Sequence, residues 1–296
     1  MPPEGIAHSL SKEILTYEEM LLLVRIFSGL GVHKIRVTGG EPFVRKGLID
    51  FLQRLKGVPG IKALHITTNG AALAGHLGEM EKLSISGINL SLDTLKPERF
   101  SQIVRRNLYA NVRTVLNDIL KAKIPLKINT VVQSGVNTDE IADIAILTRN
   151  QPITVRFIEE MPFNGRGKNV PLCWDSNRIY EKLKRHFPGI RKESEDSGTA
   201  ALYKIPSFAG QIGIIGAYTR EFCGRCDRVR VTPQGVLKTC LYDDGILDMR
   251  KMLRGGDSID DIRTAVVTAV AGKPIDGFAA EGGKPRRKRS MAAIGG

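Results

Sequence analysis

Three cysteines set the first chemical constraint. The segment Phe222-Cys223-Gly224-Arg225-Cys226-Asp227-Arg228-Val229-Arg230, with Cys240 downstream, spells C-x2-C-x13-C. Three thiolates can hold a metal ion or an iron–sulfur cluster. On a four-iron cluster, three protein ligands leave one iron open to a substrate. A zinc site completed by a histidine or by Cys173 is the competing reading, and spacing alone does not choose between them. Cys173 itself, beside Trp174, reads as a packed thiol. Arg228 and Arg230 follow the cysteines two apart, so a strand over 228–232 turns both to one face. Arginine forks there suit a phosphate or a guanine edge.

A second set of residues asks for an anion. Lys34-Ile35-Arg36-Val37-Thr38 reads as a strand with Lys34, Arg36 and Thr38 on one face and Ile35 and Val37 on the other. If the apolar face packs on helices, the basic face points inward, where an unpaired cation is costly. Lys127 with Asn129, and Arg156, repeat the pattern on later strands. A single such residue is ordinary, but basic residues on three strands argue for a polyanionic ligand. Gly39-Gly40-Glu41-Pro42, Thr67-Thr68-Asn69-Gly70 and Ser91-Leu92-Asp93-Thr94 each sit at a strand end. Those ends are where βα barrels place their ligands.

The elements that must carry these residues follow from hydrophobic period. Thr16 and Glu19 form a capping box ahead of a helix whose apolar face is read as Met20, Leu23, Val24 and Phe27. Strands are expected at 34–38, 63–67, 88–92, 126–132 and 153–158. Helices are expected around 48–55, 77–83, 112–122 and 138–147. This alternation predicts an α/β fold with a parallel sheet or incomplete βα barrel. The series opens on a helix, so a first strand is missing from the pattern. After Met161 the rhythm changes: a helix over 176–187, β-like pieces at 201–205 and 211–215, and a late helix over 259–270. The expected division is a partial barrel over 1–165 and a C-terminal region over 166–296.

Composition narrows the partners. The 296 residues carry a formal net charge of +13, with 42% hydrophobic and 25% charged side chains. That composition supports a real core, and the charge calls for an anionic partner. Four cysteines in a chain of this size make no disulfide framework. No apolar run approaches the length of a membrane span, so no membrane partner is expected. A basic, zinc-stapled nucleic-acid-binding module is the rival reading. Aromatics are only 6% and hardly interleave the basic stretches, which disfavours it.

Taken in order, KIRVTGGEP (34–42), TTNG (67–70), LSLDT (90–94), RFIEEM (156–161), CGRCDRVR (223–230), LKTCL (237–241) and a terminal Gly295-Gly296 form a specific set. The chain resembles, over nearly its whole length, the GTP 3′,8-cyclases, radical S-adenosylmethionine enzymes of molybdenum-cofactor biosynthesis. The resemblance implies an incomplete βα barrel with two 4Fe–4S clusters, one binding S-adenosylmethionine and the other GTP. It implies Gly39, Gly40, Glu41, Ser91 and Met161 as S-adenosylmethionine contacts. It implies Lys34, Arg36, Thr67, Lys127, Arg156, Arg228 and Arg230 as GTP contacts, and Cys223, Cys226 and Cys240 as ligands of the second cluster. The family chemistry is abstraction of the 3′ hydrogen of GTP by a 5′-deoxyadenosyl radical, followed by closure of C3′ onto C8. The product goes to a cyclic pyranopterin monophosphate synthase, and a homodimer is compatible with the resemblance. The family's N-terminal C-x3-C-x2-C segment has no counterpart here, because Met1-Pro2-Pro3-Glu4-Gly5 matches the family residues that come directly after its third cysteine. The expectation is therefore a late start or a truncation, and a chain inactive by itself or a vestigial GTP-binding protein. A bacterial chain is expected in the cytoplasm, with an organellar destination left open.

Overall fold

The computed structural model describes residues 11–161, 173–193 and 198–282. Met1–Gly5, the loop around residue 165 and the terminal Gly295-Gly296 lie outside them. In chain order the elements are α1 (Tyr17–Gly29), β1 (Lys34–Val37), α2 (Leu48–Lys56), β2 (Ala63–Thr68), α3 (Leu77–Lys82) and β3 (Gly87–Ser91). Next come α4 (Pro97–Val104), α5 (Tyr109–Lys121), β4 (Leu126–Val132), α6 (Ile141–Ile146), β5 (Thr154–Glu159) and α7 (Ser176–His186). The short strands β6 (Arg191–Lys192), β7 (Ala201–Lys204), β8 (Gln211–Ile215), β9 (Arg230–Val231), β10 (Val236–Lys238) and β11 (Leu247–Asp248) come after these. Three helices close the order: α8 (Met249–Gly255), α9 (Ile259–Ala271) and α10 (Gly277–Glu281). No described helix is long and apolar enough to cross a membrane.

The chain divides into two compact units. The first holds the described residues 11–65 and 227–282, and the second holds those from 66 to 226.

In the first unit, α1 starts on the expected capping box. Glu19 N donates to Thr16 Oγ1 at 3.1 Å, and Thr16 N donates to Glu19 Oε2 at 2.7 Å. Its buried residues are Leu21, Leu23, Ile26 and Phe27; of the expected face, Leu23 and Phe27 are buried, Met20 is partly buried against the same cluster, and Val24 is not part of it. The helix packs on residues from the far end of the chain. Leu15, Leu23, Ile26 and Phe27 share one core cluster with Leu237, Met249, Ile262 and Val266. Arg254 of α8 ties the same region together, its Nε and Nη2 donating to the two Glu19 carboxylate oxygens at 2.7 and 3.0 Å. The small sheet β11-β10-β9 is antiparallel.

The second unit carries a mostly parallel sheet in the order β3-β4-β5-β8-β7-β6. Pairs β3–β4, β4–β5 and β5–β8 are parallel, and β8–β7 and β7–β6 are antiparallel. The reversal follows from connection length. The few residues between β7 and β8 allow only a hairpin, whereas β5 reaches β8 through a crossover that includes α7. One face of the parallel strands is apolar and buried, including Ile88, Leu90, Ile128, Val155, Phe157, Ile212 and Ile214.

Candidate functional site

The other face of the second unit's sheet is polar. Strand alternation brings Asn89 and Ser91, Lys127 and Asn129, and Thr154 and Arg156 to the same side. Pairing then sets them in two rows. One runs Asn89, Lys127, Thr154, and the next runs Ser91, Asn129, Arg156, Gly213. Thr67 joins the first row, since Asn89 Nδ2 donates to its hydroxyl at 3.2 Å. Gly213 gives Arg156 room: a Cβ there would stand 3.1 Å from Arg156 Cγ. The Oδ1 of Asn129 is buried and accepts no hydrogen bond from the described residues. Buried acceptors are nearly always paired, so this atom suits a donor from a bound molecule. Of the expected site residues, the second unit thus brings Thr67, Ser91, Lys127 and Arg156 to one surface. Met161 follows Glu160 just past β5.

Asp93 ends the same motif as Ser91, and its Oδ1 accepts the Val131 N–H at 2.8 Å. Desolvation pushes its pKa up to about 6, although the Val131 hydrogen bond pulls the other way. The sequence reading grouped Asp93 with a strand end but gave it no role. Asn89 and Gly213 were not singled out at all, and strand register is the only signal that could have found them.

In the first unit, Lys34 and Arg36 lie on β1, and Gly39 and Gly40 follow it. Gly39 has φ +154, a conformation other residues rarely adopt. Around both glycines a Cβ would meet no atom of the described residues within 4 Å, so packing among them does not explain their smallness. Glu41 Oε1 accepts the Phe43 N–H at 3.2 Å, which caps a short helical turn over Pro42–Val44. Arg230 opens β9, opposite Lys238. The strand expected over 228–232 is only Arg230–Val231, so Arg228 stands before it rather than beside Arg230 on one strand face.

Cys223, Cys226 and Cys240 stand outside any disulfide, all half-buried. Three soft sulfur donors suit an iron–sulfur cluster by their chemistry. Cys223 and Cys226 belong to the second unit and Cys240 to the first. The described residues hold no ready-made group of three His, Cys, Asp or Glu for a metal.

Two buried carboxylates that the sequence reading passed over accept backbone N–H groups in or just before the cysteine-bearing turns. Glu159, the last residue of β5, is fully buried. Its Oε1 accepts Ser176 N at 2.7 Å, and its Oε2 accepts Tyr218 N and Thr219 N at 2.8 Å each. The Thr219 hydroxyl donates to it as well, at 3.0 Å to Oε2. Burial raises the Glu159 pKa, and these donors oppose the rise. From Thr219 the chain passes through Arg220, at φ +61, whose carbonyl accepts Cys223 N at 3.0 Å. Asp243 does the same for the other turn. Its Oδ2 accepts Thr239 N at 2.9 Å and Cys240 N at 2.7 Å, and its Oδ1 accepts Gly245 N at 2.8 Å. The buried Lys238 ammonium lies 3.9 Å from Asp243 Oδ1 and donates to the Leu241 carbonyl at 3.0 Å.

Residues 9–147 match the Radical SAM superfamily, and residues 153–278 match Molybdenum Cofactor Synthesis C. A GTP 3′,8-cyclase of Pelotomaculum thermopropionicum is 37% identical over 302 residues, covering 100% of this chain and 92% of that protein. Molybdenum cofactor biosynthesis protein 1 of Mus musculus is 39% identical over 275 residues, covering 92% of this chain. The chain spans 43% of the length of that mammalian relative. Among solved structures, Streptococcus suis SuiB bound to S-adenosylmethionine aligns over 61% of this chain and 40% of that one, with a TM-score of 0.43 and 18% identity.

Proposed function

This chain belongs to the GTP 3′,8-cyclase family, and from that premise we propose that it binds GTP and S-adenosylmethionine and serves the radical cyclisation of GTP to 3′,8-cyclo-7,8-dihydro-GTP. The observation that carries the nucleotide reading is the polar face of β3, β4 and β5. There Lys127 and Arg156 stand in adjacent rows with Asn129, whose buried carbonyl oxygen has no donor among the described residues. Together with Thr67, and with Lys34, Arg36, Arg228 and Arg230 from the first unit, these residues offset the charge of a triphosphate and address a guanine edge. The backbone of Gly39 and Gly40, with Glu41, Ser91 and Met161, receives S-adenosylmethionine.

Cys223, Cys226 and Cys240 supply the thiolates for a 4Fe–4S cluster. Iron–sulfur and S-adenosylmethionine chemistry supply, when bound, the carbon radical that the cyclisation needs. The protein's own work is orientation of the ribose and base, neutralisation of phosphate charge and exclusion of water. The product then serves a cyclic pyranopterin monophosphate synthase.

Calorimetry on the anaerobically reconstituted chain tests the nucleotide reading. Binding ranks GTP above GDP above GMP, since each lost phosphate removes charge-assisted contacts. ATP binds less well, because adenine presents a different edge. Arg36→Ala and Arg156→Ala each weaken GTP by about 1.5–3 kcal/mol, the scale of a hydrogen bond to a charged group. Equal binding of GTP and ATP defeats the guanine assignment.

A further inference from the structure

We propose that Glu159 and Asp243 are positioning residues for the cysteine ligands, each fixing its turn by accepting backbone N–H groups. The inference rests on the reading that Cys223, Cys226 and Cys240 hold a cluster. It adds two carboxylates that act through the backbone N–H groups they accept.

The chemistry at both sites is the same and demands a carboxylate. Irregular backbone inside a protein leaves N–H groups that no helix or strand satisfies, and each must find an acceptor. At Glu159 both carboxylate oxygens accept backbone N–H groups from two separate segments, one at Ser176 and one at Tyr218 and Thr219. At Asp243 both oxygens accept again, from Thr239 and Cys240 on one side and from Gly245 on the other. An amide side chain cannot replace either one. Its carbonyl would serve one segment while its NH2 faced the N–H groups of the other, donor against donor. The cost of that mismatch falls on the turns that carry the ligands. Cys240 donates its own N–H to Asp243, and Glu159 anchors the segment four residues before Cys223. Mutation of groups that orient metal ligands typically costs about 10–100-fold in metal affinity or activity.

The test compares Glu159→Gln and Asp243→Asn with the wild type and with Glu140→Gln. Glu140 is the matched control. It is a buried carboxylate that accepts the Thr94 hydroxyl and the Leu95 N–H, each at 2.7 Å, and pairs with Arg99, but it supports no cysteine turn. Each chain is reconstituted anaerobically. Iron and sulfide are counted, and iron release to a chelator is timed on protein that shows a cooperative thermal transition. Glu159→Gln and Asp243→Asn are expected to release iron about tenfold faster or more, while Glu140→Gln stays near the wild-type rate at a similar loss of thermal stability. The reduced-cluster EPR spectrum changes in the first two variants only. If an amide variant does not fold, Thr219→Val and Thr239→Val each remove one hydroxyl donor to Glu159 and Asp243, and the same readouts apply. Iron release as slow as that of Glu140→Gln, with an unaltered spectrum, overturns the positioning role alone. A wild-type chain holding no more iron than Cys223→Ser overturns the cluster reading and this proposal with it.

Discussion

At the scale of single residues, the second unit holds two desolvated carboxylates, Asp93 just past β3 and Glu159 at the end of β5. Both have raised pKa values, with desolvation as the first cause. Asp93 gives the cleaner experiment, because among the described residues its carboxylate accepts the Val131 N–H alone. Its folded pKa, about 6, lies above its ordinary value of 3.8, so the folded protein holds the proton more tightly than the unfolded chain. The stability this group contributes is complete below 3.8 and is lost as pH rises through about 6. Asp93→Asn keeps an acceptor for Val131 and has no proton to lose. It is therefore expected to remove that fall and to raise stability at neutral pH by about 1–3 kcal/mol. Urea unfolding of the two proteins on either side of this window measures it. If the gap between mutant and parent is the same at both pH values, Asp93 is not desolvated in the way described.

At the scale of elements, what could be read in advance depended on length and period. The seven-residue strand β4 and the five-residue β8 fall on the expected bounds, because alternation or a bounded apolar run is visible over that length. The strands β6, β9 and β11 have two residues each, too few to show any period, and they are defined by pairing with chain distant in sequence or across a turn. The helix α4 was missed because Pro97 opens it straight after a loop and it is only eight residues long. The polar residues Thr67, Lys127 and Arg156 were legible because a charged or hydroxyl side chain in an apolar strand breaks a visible rule. Glu159 breaks the same rule on the opposite face, two places after Phe157, and so had a signal that went unused. Asp243 had none, since its role is set by a turn in which the sequence shows no repeat. The capping box of α1 was readable because it is local in sequence. Thr16→Ala is expected to cost about 1 kcal/mol by freeing the Glu19 N–H, as measured by chemical denaturation. A loss near zero would mean that Arg254, which grips the Glu19 carboxylate, holds the helix start without the cap.

At the scale of the molecule, the first unit is assembled from two stretches of chain, and its core is shared between them. Phe27 and Ile26 pack in one cluster with Leu237, Met249 and Ile262. Phe27→Ala is expected to destabilise by about 3–5 kcal/mol, the usual cost of emptying a filled aromatic site. Ile262→Ala, from the other stretch, is expected to cost about 2–5 kcal/mol. Denaturant midpoints that barely move in either variant would contradict a shared core. The net charge of +13 is likewise a whole-molecule property, suited to drawing polyphosphate toward the chain at low salt. A core divided in this way also has a history during synthesis. The ribosome delivers Leu23, Ile26 and Phe27 well before Leu237, Met249 and Ile262 exist, while everything the second unit needs arrives in between. The nascent chain must therefore carry the face of α1 formed by Leu23, Ile26 and Phe27 through most of its translation without these late partners, and early termination leaves that face without them.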